Sequence, residues 1–228
     1  MRPAFASKWS TDLGLSALLV ALVVGLFVVR PLEELGLASG ILGEIFLAGV
    51  LVAGVWTLWT RRVQAITLAS AVGIAEVVRC VNWVAPTGGL APWAALCSSL
   101  AVGLLMFLVL KWVFLPGPIT PHRIQGAVAV YLLIGVMWAQ AYEFLDIIIP
   151  RAFQFPSGVA GASARSAALS YFSFITLTTL GYGDILPVHP VARSLAMAEG
   201  LMGQLYPAIL IGSLVSLHIS SRSERSQG

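Results

Sequence analysis

The stretch Thr179-Leu180-Gly181-Tyr182-Gly183 sets a glycine on each side of one tyrosine. Glycine adopts positive φ without a Cβ penalty, so glycines at alternate positions let successive backbone carbonyls turn toward one axis. A close stack of carbonyl oxygens can replace the hydration shell of a cation that must shed its water in a narrow path. Thr179 can add a hydroxyl oxygen at the inner end of such a stack, and Asp184 follows at its outer end. Leu180 and Tyr182 would point away from the axis and pack against the helix that precedes them.

The surrounding elements have to hold that turn inside a bilayer. Of 228 residues, 58% are hydrophobic and 10% charged. The mean hydropathy is +0.92, the balance of a membrane protein and not of a soluble domain. A hydrocarbon core of about 30 Å takes about 20 apolar residues of helix. Six such runs are present, over Leu13–Val29, Leu37–Thr60, Val63–Ala85, Ala91–Phe114, Ile124–Ile149 and Val191–Ile219. Between the last two, Ala167–Thr178 is apolar but too short to cross, and the glycine-bearing turn follows it directly, the shape of a re-entrant segment. The predicted fold class is an all-α membrane protein with six transmembrane helices plus a re-entrant pore helix.

Lysine and arginine orient these helices. Arg2, Lys8, Arg61, Arg62, Lys111, Arg123, Arg222 and Arg225 fall on one side, and Arg30, Arg151, Arg165 and Arg193 on the other. Both termini are therefore expected in the cytoplasm, with the re-entrant segment entering from outside. Trp9, Trp56, Trp59 and Trp112 lie near inner helix ends, and Trp83 and Trp93 near outer ones, as an aromatic belt requires. The net charge of +3 is scattered singly and in pairs, so no nucleic-acid partner is expected. Cys80 and Cys97 sit in apolar stretches and suggest neither a disulfide framework nor a metal cluster. A proline-rich stretch from Leu115 to Arg123 divides the chain into a four-helix transmembrane domain (1–120) and a pore domain (121–219), with a short cytoplasmic tail (220–228).

With Ser173-Phe174-Ile175-Thr176-Leu177-Thr178 before the turn, Asp184 after it and a spanning helix on each side, the chain resembles the pore domain of the tetrameric potassium channels. That family's signature is Thr-x-x-Thr-x-Gly-Tyr-Gly-Asp; Thr176, Thr179, Gly181, Tyr182, Gly183 and Asp184 match it position by position. The resemblance covers roughly residues 124–219. It implies a selectivity filter with K+ held at Thr179, Leu180, Gly181 and Tyr182, the ion being permeant and no cofactor being needed. It also implies a homotetramer in the lipid bilayer, because one loop supplies a quarter of each oxygen ring and fourfold symmetry closes it. The expected location is a plasma membrane, a bacterial inner membrane. Ile175 stands where some members carry a glutamate that braces the filter, and Leu180 where valine is commoner. Gly203 aligns with the hinge glycine of the family's inner helix, with Pro207 one turn further on.

Voltage sensing needs several charges per subunit, since one charge crossing 100 mV is worth about 2.3 kcal/mol. The fourth run carries only Lys111, so the first four helices read as a voltage-sensor-like bundle without gating charges. Glu44, Glu76 and Arg79 are intramembrane charges in the outer half of that bundle, placed to act as a clamp or as a site for a regulatory ligand, lipid or proton. Glu143 and Glu199 are further acids near the pore, and Glu199 could face the cavity or satisfy a polar partner behind the filter. Ile211, Leu214 and Leu217 are candidate constriction residues, and His189 lies just beyond the filter. The few residues after Ile219 leave regulation to the membrane helices, the loops or a separate subunit. No nucleophile, base and orienting acid recur together, so an enzyme is not expected. A weakly selective cation channel and a non-conducting partner subunit of another channel are the competing readings.

Overall fold

Apolar sequence and helix-terminating residues together account for the order of elements. The computed structural model describes residues 3–34, 41–57, 62–84, 89–115 and 120–226. Helix α1 (Pro3–Val24) continues through a π-helical turn (Gly25–Val29) into α2 (Arg30–Glu34), and α3 (Ile41–Thr57), α4 (Arg62–Val84) and α5 (Ala91–Val113) follow. Then come α6 (Pro121–Ile148), the short strand β1 (Phe153–Gln154), α7 (Ala162–Leu177), β2 (Leu186–Pro187) and the long α8 (Pro190–Ser226).

Five helical stretches are long and apolar enough to cross a membrane: Gly14–Leu32, Val63–Asn82, Ala91–Val113, Pro121–Ile148 and Pro190–Ser213. The second of the six expected spans has a shorter apolar helical stretch, Ile45–Trp56. Its expected ends at Leu37 and Thr60 lie outside the described residues, as do the side chains of Glu44, Leu214 and Leu217. Helix α7, expected to be re-entrant, begins at Ala162, ahead of the Ala167 at which its apolar run starts. Hydropathy misses this first turn because it is polar and tied to α6. Arg165 donates to both Asp146 oxygens, at 2.8 and 2.5 Å, and Ser166 donates to Glu143 at 3.1 Å.

One hydrophobic cluster joins Leu15, Leu18 and Leu22 of α1, Val50 and Leu51 of α3, Leu68 of α4, Leu105 of α5, Leu133 of α6 and Leu177 of α7. It runs without a break across position 120, so the helices on both sides of the proline-rich stretch share a core. Where helices meet, small residues admit large ones: the Phe46 ring lies against Gly25 in the π-helical turn, and the Phe174 ring of α7 against Gly135 of α6. A second cluster, of Tyr142, Leu145, Ala152, Phe153, Leu169, Phe172, Ile185 and Ala192, packs around the middle of α7. There the aromatic rings of Tyr142, Phe153 and Phe172 meet edge to face.

Arg123, counted above only as an orienting charge, is buried at 5% exposure. The last carbonyls of a helix have no internal donor, and a cation there also meets the negative end of the helix dipole. Arg123 fills both needs for α5: its Nε donates to the Val113 carbonyl at 2.6 Å and its Nη2 to the Leu115 carbonyl. Thr120 caps α6 by accepting from the Arg123 amide at 3.3 Å. Arg123→Ala is expected to cost about 1.5–3 kcal/mol, the range for a charged hydrogen bond. At about 2–4 °C per kcal/mol this lowers the melting temperature of the detergent-solubilised protein by roughly 3–12 °C, read by differential scanning fluorimetry.

Candidate functional site

The turn after α7 has an uncommon backbone. Thr179, Gly181 and Gly183 have φ of 60°, 54° and 76°, and Leu180 and Tyr182 between them are not in the positive-φ region. In an extended strand successive carbonyls point to opposite sides; alternating left- and right-handed residues bring them to one side, with the amides on the other. The amides have partners that agree with this. Thr179 N donates to the Thr176 carbonyl at 3.0 Å, and Leu180 N and Gly181 N both donate to the Ile175 carbonyl, at 2.9 and 3.3 Å. The C-terminal end of α7 thus takes up the amides of Thr179, Leu180 and Gly181. Sequence reasoning anticipated special dihedrals only at the glycines; the left-handed Thr179 was not legible, because a β-branched residue disfavours it.

Residues 178–184 are all exposed in the single chain. Leu180 and Tyr182 are 58% and 68% exposed, so their side chains are not covered by α7 of their own chain. The apolar side of α8 is bare as well, with Met197, Leu201, Leu205 and Ile209 each more than half exposed. Ile185 is buried at 3% and anchors the outer end of the turn, where its amide donates to Asp184 Oδ1 at 3.1 Å. Just beyond, β2 pairs antiparallel with β1, Phe153 opposite Pro187 and Gln154 opposite Leu186, which ties the segment before α7 to the segment after the turn.

Helix α8 supports the turn from behind and below. Glu199 is fully buried and faces away from the exposed side, accepting from the Tyr142 hydroxyl at 2.6 Å and from the Ser173 hydroxyl at 2.5 Å. The Ser173 oxygen is also 2.8 Å from the Gly135 carbonyl, so its one proton faces two acceptors. Glu199 thus has polar partners behind the turn and does not face a cavity. One turn on, Gly203 packs on the Leu177 backbone so closely that a Cβ would overlap the Leu177 carbonyl oxygen. Pro207 lies within α8 and has no amide to donate to the carbonyl four residues earlier, which is that of Gly203. Gln204 Nε2 donates to the Thr179 hydroxyl at 3.0 Å. Tyr142, Ser173 and Gln204 had not been singled out from the sequence, although a glutamine inside an apolar span is a polar residue that needs a partner.

The intramembrane charges lie apart from the turn. Arg79 donates to Glu76 at 3.2 Å within α4. Glu143 of α6, which holds Ser166 of α7, is within electrostatic reach of both Arg30 and Arg79. Lys111, in the last turn of α5, rests over the Phe107 ring at 4.5 Å from its centroid. Ile211 is 62% exposed on the inner part of α8.

Residues 162–219, from the start of α7 well into α8, match a protein-family model described as an ion channel. Protein LctB of Bacillus caldotenax is 33% identical over 84 residues, which cover 36% of this chain and 61% of that protein. Protein LctB of Geobacillus stearothermophilus is 39% identical over 59 residues, covering 25% and 43%. Two pore potassium channel c of Oryza sativa subsp. japonica is 34% identical over 86 residues, covering 38% and 17%. The chain therefore spans less than two thirds of the length of these relatives. No solved structure matches the chain. These matches point to an ion channel and not to an enzyme.

Proposed function

We propose that this chain is one subunit of a potassium-selective channel whose pore closes as a homotetramer, K+ passing the carbonyls of Thr179, Leu180, Gly181 and Tyr182. The observation that carries this is the alternation of positive φ at Thr179, Gly181 and Gly183, a backbone pattern that can turn successive carbonyls to one side. One turn is a quarter of a ring, and the bare Leu180, Tyr182 and α8 leave apolar surface for neighbouring copies. The choice of potassium draws on the Thr176-to-Asp184 signature and on a plant relative that is a potassium channel by name. In this reading the N-terminal four helices (1–120) flank a pore domain (121–219). Six spans then put both termini in the cytoplasm, and the chain resides in a plasma membrane, a bacterial inner membrane. Lys111 alone in α5 supports weak or absent voltage gating, and Gly203 with Pro207 is the point where α8 bends. The cluster of Glu44, Glu76 and Arg79 is a candidate regulatory contact.

Purified protein in liposomes under a potassium gradient is expected to pass potassium and rubidium, to exclude sodium, and to be blocked by barium. Sodium flux equal to potassium flux would identify a weakly selective cation channel instead. Silence under every condition would favour a subunit that conducts only with a partner chain.

A further inference from the structure

Gln204 lies one residue beyond the contact that pins α8 to α7. Because Gly203 has no side chain, its helix sits directly on the Leu177 carbonyl, which brings the next residue within reach of the inner end of the filter. A three-carbon side chain then suffices to carry the Gln204 amide to the Thr179 hydroxyl, 3.0 Å away. The residues that follow on the same side of α8, one and two turns on, are Ala208 and Ile211. The hydroxyl of Tyr206 is turned away, donating to the Ala127 carbonyl at 2.7 Å. Gln204 is therefore the polar side chain that meets the filter at its inner mouth among the described residues of α8.

We infer that Gln204 is a specificity-determining residue of the ion path, whose amide weakens cation binding at the innermost filter site and so weakens divalent block there from the inner face. This rests on the potassium-channel reading, since it requires Thr179 to face a permeant ion. A threonine hydroxyl oxygen has two lone pairs. The Gln204 N–H occupies one of them, which leaves a single lone pair for the ion. The same N–H brings the positive end of an amide dipole beside the site. Both effects oppose a bound cation, and the electrostatic one acts twice as strongly on a divalent ion. Conduction requires sites weak enough to be left as well as strong enough to be entered, and a fourfold ring of these amides biases the last site toward release.

The test is single-channel recording in planar bilayers, with barium applied to each face in turn. Barium has a size close to that of potassium and twice its charge. Gln204→Met keeps the length of the side chain and removes the donor; barium block from the inner face is expected to strengthen about tenfold. Gln204→Glu replaces the donor by an anion, whose attraction for a divalent cation acts over the same short distance. It is expected to strengthen the inner-face block at least about a hundredfold. Block from the outer face should shift less in both. Wild-type barium affinity in both variants, or weaker block in Gln204→Met, overturns the inference while leaving the channel reading intact. A wild-type protein that passes no potassium or rubidium overturns the channel reading itself. Should the methionine variant fail to assemble, Gln204→Ala and the glutamate variant decide the matter by the same shift.

Discussion

Alanine at position 181 is expected to abolish potassium and rubidium flux while leaving the assembled protein intact. Within its own chain a Cβ at Gly181 would meet nothing within 4 Å, so the substitution does not fail there for lack of space. It fails on the backbone: Gly181 has φ of 54°, and an L-residue with a Cβ pays about 1–2 kcal/mol to hold a left-handed conformation. Four chains in a ring would together set about 4–8 kcal/mol against the arrangement in which every carbonyl faces the axis. The cheaper outcome is for the peptide to rotate, which turns a carbonyl out of the path and an amide into it. Flux should fall at least about a hundredfold, to the background of empty liposomes, as each 1.4 kcal/mol is a factor of ten. Size-exclusion chromatography with chemical cross-linking should still report a tetramer, since the core residues of α6 to α8 are untouched. Gly181→Ala with wild-type flux would remove the carbonyl stack from consideration.

The second large effect is expected at Glu199. Its carboxylate is buried with two hydroxyl partners, Tyr142 and Ser173, which come from α6 and α7. Glu199→Leu leaves the Tyr142 hydroxyl buried without its acceptor, while Ser173 still has the Gly135 carbonyl, and a buried unsatisfied polar group costs about 1–3 kcal/mol. That cost per chain is a sizeable part of ordinary stability and, at about 2–4 °C per kcal/mol, lowers the melting temperature by roughly 2–12 °C. Glu199→Gln behaves differently because an amide brings its own protons. Its oxygen can accept from Tyr142, and its nitrogen can donate to the Ser173 oxygen. Ser173 is then free to give its single proton to the Gly135 carbonyl, 2.8 Å away. This variant should therefore assemble and melt near wild type. Equal melting temperatures for the leucine and glutamine variants would show that the network contributes nothing to holding α8 behind the turn.

The membrane helices were legible in the sequence because burial in lipid demands continuous apolar runs, and such a run can be counted along one dimension. The five long spans fall in stretches that hydropathy marks, and charged or proline-rich interruptions separate them. Where polar residues begin an element, hydropathy lost it, as in the first turn of α7, whose Arg165 and Ser166 are held by Asp146 and Glu143 across a helix junction. Gly181 and Gly183 announced an unusual turn because glycine at alternate positions has a backbone meaning of its own.

Tertiary structure alone decided the rest. A glutamate, a glutamine or an arginine within an apolar stretch must find a partner, but the identity of that partner depends on the register between helices, which close packing sets and no local spacing encodes. The sequence by itself marked Glu199 as an acid near the pore that either faces a cavity or needs a polar partner, and left Gln204 unremarked and Arg123 an orienting charge. Only the packed structure assigned Glu199 to Tyr142 and Ser173, Gln204 to Thr179, and Arg123 to the open end of α5. The left-handed Thr179 has the same origin: its own side chain disfavours the conformation, and the turn enforces it because the amides that follow are bound at the end of α7.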